Sequence, residues 1–596
     1  MKKGKRTIAV LLCVLIALGA CALVGCGGGQ TAKETYLIKY DLNYEGGETR
    51  NVPVQAGAKA VSWRATREGF DLGGWFTDAD GTEPYDFTKP VTSDATLYAK
   101  WTVQPGMATV TFDFSVAGIA DKTIAVRKTN AIARKYVPDY NPFGMKFVAW
   151  YADEAKTRAW NFDTDKVNDD ITLYAGYEYT MAIPRNGDGS IAYDHVTINV
   201  WTSSVDAASL AALTEKFNKE YNGKISVNVS SNLASQADTF LRIQQIPGIL
   251  STTKTYYSVG EIYNFAGLAA NNSNWLEKAT AEARVNGAYT QVPLVGVAPY
   301  MIYNKSLLAK YSDGGALPTN YSGLSALLKA AYNGEVATNS RFRSVVAAYS
   351  DWSFKEAPSM VAFNQNGVPY YKYENGKYVN EWADEAVYAK AETALRRTYD
   401  LFGENGANHG GNANGIGSVV DSVKSGNALM GMVTWRGYEG SVLSDPNLGV
   451  IPLSGLFTDE TGEGSKDIPI HTIGIGFCNL ATNVVKDPLK VCASALYSDW
   501  LSKHAYELSS LGYVPLATEA VNADAYVNST DRIVSFVRST YGDANNLTTL
   551  PGTANLKTLV NVTAAEGIIV PVLGGDGTNL TEKMHELYTQ IGGLVY

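Results

Sequence analysis

Aromatic residues with a polar tip are the most prominent chemical feature of this chain. It contains 37 Tyr and 11 Trp against 18 Phe. Tyr and Trp combine a flat apolar ring with a hydrogen-bonding atom, so a surplus over Phe suits surfaces that are partly apolar and partly wet. Carbohydrate-binding sites are surfaces of this kind. The alternative is that Tyr is abundant because β-strands favour it.

Residues that would carry catalysis or hold a metal form no recognisable motif. The chain has five His, with no HExxH motif and no paired His and Cys at the spacing of a zinc site. It also shows no GxSxG nucleophile motif and no marked pair of carboxylates for glycoside hydrolysis. We therefore predict a protein that is not an enzyme and has no catalytic residues, no bound metal and no cofactor.

The charge and length narrow the class of protein further. The 596 residues carry 50 Lys and Arg against 59 Asp and Glu, for a formal net charge of -9. A nucleic-acid-binding protein needs a basic field to neutralise phosphates, so we expect no nucleic-acid partner. The length and the 45% hydrophobic content are sufficient for several domains with buried cores.

The amino terminus has the pattern of a secretory signal. Residues 1–6 contain four cations, and an uncharged apolar stretch follows them. This stretch ends in Leu23-Val24-Gly25-Cys26, which resembles the bacterial lipobox, in which the Cys is lipidated after cleavage. We predict a signal peptide over residues 1–25, a lipid-modified Cys26 and a linker over residues 26–35. A weaker lipobox ending at Cys21, and an uncleaved anchor helix of about 18 apolar residues, remain open.

Two cysteines lie beyond this leader. Cys478 stands in an apolar run, and Cys492 lies near the predicted start of a helix. We interpret both as small buried hydrophobic residues. The alternative is that they pair, which an oxidising environment outside the cell would allow.

Two similar segments follow the leader. Residues 69–76 (GFDLGGWF) align with residues 144–151 (GMKFVAWY), and residues 95–101 (ATLYAKW) align with residues 171–177 (ITLYAGY). An internal repeat of this kind indicates two copies of one unit. Short alternating runs separated by Gly and Asp turns predict strands, so each copy is a small β-rich module.

Residues 36–103, the first module, strongly resemble the Listeria–Bacteroides or internalin B-repeat family, which has a β-grasp-like fold. The second module, residues 107–180, departs from the family at its start, where it lacks the GG turn. The resemblance implies modules that serve as stalks or as protein-contact surfaces. Residues 78–81 (DADG) lack the Glu that a calcium loop needs, so we predict a hairpin turn there.

The sequence pattern changes near residue 194, after a predicted linker over residues 181–193. Residues 196–201 alternate as a strand, an apolar helical spacing follows, and residues 225–229 form a second strand. Strand–helix–strand order predicts a parallel sheet, so residues 194–596 are an α/β domain. About 400 residues exceed one core, so we expect two lobes with a ligand cleft between them.

Several segments of this domain resemble the bacterial extracellular solute-binding proteins of ABC importers, in the carbohydrate-binding group that includes the maltose-binding type. The resemblance implies the two-lobed periplasmic-binding-protein type II fold, with residues 292–308 crossing between the lobes. Residues 252–257 (TTKTYY) replace the family's usual motif in a loop facing the cleft, and Asn320-Tyr321 replaces a common Thr-Trp pair. The matching segments are residues 196–221, 292–308 (VPLVGVAPYMIYNKSLL), 317–319, 423–435 (VKSGNALMGMVTW), 471–477, 488–504 and 512–516.

The same resemblance places a sugar site between the lobes, where aromatic rings stack on the C–H faces of a pyranose and polar groups bind its hydroxyls. The candidate stacking residues are Trp201, Trp352 and Trp435, with Tyr257 in the altered loop. Packing in the core or at the hinge is the alternative role for the tryptophans. The candidate polar residues are Ser203, Asp238, Arg436 and His471, although His471 also fits a structural histidine.

Other aromatic and glycine-rich positions are interpreted as structural. Trp275, Trp382 and Trp500 lie among apolar neighbours at positions that suit packing. The five tryptophans of the repeats are expected in the module cores. We predict a flexible connector over residues 403–415, because this segment is rich in Gly and Asn.

Together these features predict a lipid-anchored receptor on the extracellular face of a bacterial membrane. It would capture a carbohydrate, by preference an oligosaccharide, and deliver it to the permease subunits of an ABC importer. We expect a monomer whose lobes close on the ligand about the strands near Tyr300. The alternatives are a receptor for another solute such as a peptide, an adhesin or scaffold that reuses the binding fold, and a surface glycosidase, for which the sequence shows no motif.

Overall fold

The computed structural model describes the chain between residues 35 and 593 with gaps. The predicted signal peptide and Cys26 lie outside the described residues. The described residues are 35–44, 47, 49–116, 119, 121–203, 205–231, 241–245, 258–269, 272–285, 288–348, 362, 365–368, 371–374, 377–403, 405–413, 415–434, 439–451, 453, 455–458, 468–477, 487–542, 547–548 and 580–593.

Two four-stranded sheets of the same topology form the repeat region, and we call them module 1 and module 2. In each module the first and last strands pair in parallel and the other pairs are antiparallel. The strands of module 1, in the order β2-β1-β4-β3, are β1 (Thr35–Asp41), β2 (Thr49–Gln55), β3 (Phe70–Phe76) and β4 (Ala95–Val103). The strands of module 2, in the order β6-β5-β8-β7, are β5 (Met107–Asp113), β6 (Lys122–Arg127), β7 (Met145–Tyr151) and β8 (Ile171–Tyr179).

The two modules repeat each other down to single hydrogen bonds. The indole nitrogen of Trp75 donates to the carbonyl of Trp63, and that of Trp150 donates to the carbonyl of Pro138, both over 2.9 Å and both twelve residues back. Strands β3 and β7 share one pattern of burial. Trp75, Trp150 and Trp160 are buried, and Trp63 and Trp101 pack against the core of module 1, which confirms the predicted module cores.

The remaining elements belong to the large domain. Its strands are β9 (Val196–Thr202), β10 (Ile225–Ser230), β11 (Leu241–Gln245), β12 (Arg284–Val285), β13 (Ala288–Tyr289), β14 (Val292–Val297), β15 (Pro299–Asn304), β16 (Arg343–Ala347), β17 (Tyr371–Glu374), β18 (Lys377–Asn380), β19 (Gly411–Asn412), β20 (Ala428–Thr434), β21 (Leu448–Ile451), β22 (Ile468–Pro469), β23 (His471–Phe477), β24 (Val514–Pro515) and β25 (Leu547–Thr548). Its helices are α1 (Ala207–Glu220), α2 (Val259–Phe265), α3 (Lys305–Tyr311), α4 (Tyr321–Glu335), α5 (Glu385–Phe402), α6 (Ile416–Lys424), α7 (Glu439–Ser444), α8 (Pro488–Lys503), α9 (Thr518–Val521), α10 (Asp524–Val527), α11 (Arg532–Tyr541) and α12 (Leu580–Gly593).

Two separate sheets define the two lobes of this domain. Lobe 1 is built on a six-stranded sheet in the order β10-β9-β11-β23-β14-β24. Lobe 2 is built on a five-stranded sheet in the order β19-β16-β20-β15-β21. The parallel pairing of β9 with β10 confirms the predicted α/β opening. The two-lobed fold is therefore confirmed as well.

The chain crosses between the lobes where the sequence predicts it. Strand β14 belongs to lobe 1 and β15 to lobe 2, with Ala298 as the single residue between them. The chain returns after β21, because β23 lies in lobe 1 beside β14. The chain crosses again after β24, because Val537 of α11 and Leu580 of α12 belong to the core cluster of lobe 2. Several covalent connections therefore join the lobes.

The opening helix of lobe 1 forms for local reasons that the sequence already shows. The carboxylate of Asp206 accepts a hydrogen bond from the backbone nitrogen of Ser209 over 2.8 Å and caps α1. Leu210, Leu213 and Phe217 then recur at helical spacing and are buried. This face packs α1 onto the sheet of lobe 1 and sets the position of the loop after β9.

The Gly/Asn-rich segment is packed into lobe 2, so the prediction of a flexible connector is wrong for residues 405–413. Asn408 is fully buried, accepts a hydrogen bond from the Ser325 hydroxyl and donates to the carbonyl of Asp400, each over 2.8 Å. A Cβ at Gly406 or at Gly410 would lie 2.2 Å from a backbone carbonyl of α5. The glycines therefore allow close backbone packing, which composition alone does not distinguish from mobility.

Cys492 is a buried free thiol, as predicted. Its burial in α8 raises the pKa of the thiol to about 12. Cys478 lies outside the described residues. In the parts of the chain that the structure describes, no helix is both long and apolar enough to cross a membrane.

Candidate interlobe site

Strands from both lobes direct their carboxyl ends toward the crossing between the lobes. Strands β9, β11 and β14 run in the same direction, and β14 ends at the crossing. In lobe 2, β16 and β20 are parallel, and the last residue of β20, Thr434, pairs with Pro299 directly after the crossing. In α/β sheets the loops at the carboxyl ends of the strands are where ligands bind.

Trp201 lies near the carboxyl end of β9, on the side of the strand that faces away from the lobe 1 core. Burial alternates along β9, and Val196, Ile198 and Val200 form the buried row. Trp201 falls in the other row and is half-buried. Its neighbours across the sheet are Ser230 of β10 and Arg242 of β11. The strand pattern therefore disfavours the core-packing role that the sequence left open for Trp201.

The next polar candidate, Ser203, is exposed in the turn after β9. Its backbone nitrogen donates to the carbonyl of Ile243 over 3.1 Å, which ties this turn to β11. The hydroxyl of Thr202 donates to the carbonyl of Val205 over 2.9 Å and closes the turn before α1. These bonds leave the Ser203 side chain at the surface, two residues beyond Trp201.

His471 begins β23 at the junction of the lobes, where it pairs with Val297. The sheet register places it well away from Trp201. Trp201 pairs with Arg242, which pairs with Gly476, five residues after His471. Five residues of strand span roughly 17 Å, so the two positions are too far apart to contact one sugar ring.

The other five candidates lie outside the described residues, so the structure places only what adjoins them. Trp435 directly follows Thr434, which pairs with Pro299 at the crossing. Trp352 comes five residues after the end of β16 in the sequence. The candidates outside the description are Asp238, Tyr257, Trp352, Trp435 and Arg436.

Two motifs singled out in the sequence turn out to build the scaffold of lobe 2. The Asn of the YNK motif, Asn304, is buried; its side chain accepts from the backbone nitrogen of Leu307 over 3.1 Å and donates to the carbonyl of Val423 over 3.0 Å. Asn320 caps α4 in the same way through the backbone nitrogen of Gly323. Of the two departures from the family sequence, residues 252–257 lie outside the described residues and stay a candidate for ligand contact. The other departure, Asn320, serves helix formation.

The predicted structural tryptophans of the lobes are all buried, which confirms their packing role. Trp275 donates from its indole nitrogen to Ser502, and Trp500 donates to Glu220 over 2.9 Å. Trp382 is buried in the core of lobe 2. None of these three rings is available as a stacking face for a ligand.

Contacts between the modules and the lobes are the feature that the sequence analysis missed. The hydroxyl of Tyr140 in module 2 donates to the carboxylate of Glu261 in α2 over 2.7 Å. Burial, followed by the negative charge of Glu261, raises the pKa of the Tyr140 hydroxyl well above its ordinary value. The partners are 121 residues apart in the chain, and no local pattern connects them.

The described residues also include no candidate metal centre. Among them, no group of three or more His, Cys, Asp or Glu is placed to hold a metal ion.

Comparison with known families agrees with this architecture. The Listeria–Bacteroides repeat domain model matches residues 36–100 and 109–176. The bacterial extracellular solute-binding protein model matches residues 201–475. The chain thus joins two Listeria–Bacteroides repeats to a solute-binding domain of the bacterial extracellular family.

Relatives and solved structures were also found for parts of the chain. Two curated proteins of Evansella cellulosilytica, both named as membrane proteins, are 34% and 32% identical over 130 and 162 residues, or 21% and 26% of this chain. The matches span only 19% and 18% of the length of those relatives. The GacH receptor of Streptomyces glaucescens, solved unliganded and with acarbose, is 16% identical with a TM-score of 0.48, over 67% of this chain and 98% of that one. A substrate-binding protein of Listeria monocytogenes in complex with cycloalternan is 14% identical with a TM-score of 0.47, over 67% and 99%.

Proposed function

We propose that the protein is a lipid-anchored extracellular receptor that binds a carbohydrate between its two lobes and delivers it to the permease of an ABC importer. The family match supports solute binding outside the cell. The observation that carries the proposal is topological. Strands of both lobes run with their carboxyl ends toward the crossing at Ala298, with β9 ending about five residues short of it, and tryptophans stand on or just after the ends of β9 and β20.

The nature of the site favours a sugar over an ion or a small charged solute. Trp201 stands on the sheet face opposite the buried core of lobe 1, and Trp435 follows β20 of lobe 2. In this proposal the indole rings of these two residues provide apolar faces for the C–H groups of a pyranose. The separation between Trp201 and His471 along the sheet favours an oligosaccharide, since several rings would be needed to reach both.

The mechanism follows from the two-lobed construction. A ligand that contacts both lobes binds the closed arrangement more tightly than the open one, so binding shifts the population toward closure. The lobes would move about the connections between them, which include Ala298 between β14 and β15 and the segment that leads into β23. The receptor releases the solute chemically unchanged.

Tryptophan fluorescence and calorimetric titration with a panel of mono- and oligosaccharides test this proposal. We expect saturable binding of at least one oligosaccharide. Trp435→Ala should weaken it at least tenfold, which corresponds to about 1.4 kcal/mol. The matched variant Trp435→Phe keeps an aromatic face and should stay within about threefold of the parent, about 0.6 kcal/mol.

The same titrations distinguish the alternatives. Saturable binding of peptides with no response to any sugar would replace the carbohydrate ligand by a peptide. Absence of any solute binding by the folded protein would favour an adhesin or scaffold. Conversion of a glycan by the purified protein, followed by chromatography, would contradict a receptor.

A further inference from the structure

Module 2 is joined to lobe 1 through a partly buried interface. One carboxylate oxygen of Glu261 in α2 accepts hydrogen bonds from the Tyr140 hydroxyl over 2.7 Å and from the backbone nitrogen of Phe143 over 3.2 Å. The ring of Phe265, at the end of α2, packs against the rings of Phe143 and Tyr179 at centroid distances of 5.5 and 5.8 Å. Such a combination of apolar and hydrogen-bonded contact fixes module 2 on lobe 1.

The segment predicted as a linker extends this interface. Met181, Ile183, Ile191 and Tyr193 all pack against the hydrophobic core of lobe 1. The chain between module 2 and β9 is therefore held at both ends, with residues 184–190 exposed between them. This leaves module 2 little freedom relative to lobe 1.

Module 1 is held by module 2 in turn. The guanidinium of Arg67 donates to the carbonyl of Thr123 in β6 over 3.1 Å. The hydroxyl of Tyr136 donates to the carboxylate of Glu68 over 2.9 Å. A Cβ at Gly69 would lie 2.4 Å from the Cβ of Ala125, so the backbones approach closely at this point. The two modules therefore have a defined relative orientation.

Module 1 also reaches the opposite lobe. The carboxylate of Asp94 lies 3.1 Å from the ammonium group of Lys390 on α5 of lobe 2. The other oxygen of the same carboxylate accepts a hydrogen bond from the backbone nitrogen of Leu37 over 2.7 Å. The Leu37 side chain packs against the core cluster of lobe 2. Asp94 thus links the first strand of module 1 to a cation of lobe 2.

The internal repeat shows which part of this arrangement is specific to lobe contact. In module 2 the equivalent residue, Asp170, accepts from the backbone nitrogen of Thr109 over 2.7 Å. This bond serves the module fold in both copies. The ion pair to a lobe residue is found for Asp94 and is therefore an addition to the repeat's own requirement.

We propose that the two modules form a strap between the lobes, fixed to lobe 1 through module 2 and latched to lobe 2 through Asp94, Lys390 and Leu37. Movement of lobe 2 relative to lobe 1 must then either carry module 1 along or open the latch. An exposed ion pair contributes little and is screened by salt, so the latch is reversible. The strap biases the equilibrium between lobe arrangements in the absence of any solute.

Pulsed electron–electron distance measurements on the full chain test this inference without a ligand. The native cysteines are replaced by serine, and one label pair joins module 1 to lobe 2 through Val61→Cys and Arg341→Cys. A second pair joins lobe 1 to lobe 2 through Asn222→Cys and Arg341→Cys. All three labelled positions are exposed.

Lys390→Glu should broaden both distance distributions, with the population outside the parent's main distance rising about two- to fivefold. Raising the salt from about 20 mM to about 1 M should act on the parent in the same direction. The control Arg396→Glu makes the same charge change on the same helix, at a residue that pairs with Glu392 within α5. It should leave both distributions as in the parent.

A matched pair of carboxamide variants separates the latch from the fold of the module. Asp94→Asn keeps an acceptor for Leu37 and removes the charge, and Asp170→Asn makes the same change in module 2. Only the former should alter the distances. If Lys390→Glu and Asp94→Asn leave the module 1 to lobe 2 distance unchanged, the latch is overturned. If that distance changes while the distance between the lobes does not, the coupling is overturned.

Discussion

Two aspartates show how single residues stabilise the repeats. The carboxylate of Asp78 accepts hydrogen bonds from the backbone nitrogens of Thr82 and Glu83, the shorter to Glu83 over 2.7 Å. In module 2, Asp153 accepts from Thr157 and Arg158 over 2.9 and 2.8 Å. The segment that resembles a calcium loop is therefore a turn held by its own backbone, as predicted.

These contacts predict how the modules respond to acid. Backbone hydrogen bonds, the largest cause, lower the pKa of both Asp78 and Asp153 in the folded chain. A depressed folded pKa stabilises the fold above the unfolded value of about 3.9, and this stabilisation is lost as the pH falls from about 5 through the folded pKa. Calorimetry should show that the midpoint temperature of unfolding of the modules falls as the pH is lowered over this range.

The double variant Asp78→Asn, Asp153→Asn provides the control. It should unfold at lower temperature than the parent near neutral pH, and the difference should shrink as the pH falls through the folded pKa of the two carboxylates, because protonation removes the same charges from the parent. A parent and variant that differ equally at neutral and acidic pH would show that these carboxylates do not act through their ionisation.

The residue scale also shows what could be read from the sequence. The aligned tryptophans of the repeats predict buried positions because they recur at fixed offsets in an alternating pattern. The roles of Asn304 and Asn320 cannot be assigned from the sequence, because an Asn before an apolar run fits a helix cap as well as a ligand contact. Only the structure shows that both cap helices.

At the scale of elements, patterns with a period were predicted and close packing was not. The helical spacing of α1 and the alternation of β9 identify their buried faces. The Gly/Asn-rich segment has no such period, and its packing depends on carbonyls of α5 that lie a few residues back in the chain. Composition therefore suggested mobility, where the backbone in fact approaches α5 closely.

A pair of alanine substitutions tests this packing. Gly410→Ala would place a Cβ 2.2 Å from the carbonyl oxygen of Leu401, so we expect a loss of about 1–3 kcal/mol in the free energy of unfolding. Gly440→Ala, in α7 of the same lobe, meets nothing within 4 Å. It should be neutral or stabilise by up to about 1 kcal/mol.

Denaturant unfolding followed by circular dichroism measures both variants. The comparison controls for the change from Gly to Ala itself, since both variants lose the same backbone freedom in the unfolded chain. Equal stability of the two variants would show that residues 405–413 relax away from α5 and would restore the connector interpretation.

At the scale of the whole molecule, the modules do not extend from the receptor as a stalk. Module 2 packs on lobe 1, and module 1 contacts lobe 2 through Asp94 and Leu37. The predicted linker between Cys26 and β1 can span at most roughly 30 Å when extended. A lipid anchor at Cys26 would therefore hold the start of module 1 within roughly 30 Å of the membrane surface.

The proposed lipid anchor gives the final prediction. Cys26→Ser should move the protein from the membrane fraction to the medium and abolish incorporation of a labelled fatty acid, because a diacylated Cys supplies the two chains that stable anchoring needs. Cys21→Ser, the matched control, should remain lipidated and membrane-bound. Release by the second variant alone would assign lipidation to Cys21. Retention of both in the membrane without label would show an uncleaved apolar helix, and solute binding should be unaffected in every case because the lobes lie outside the anchor.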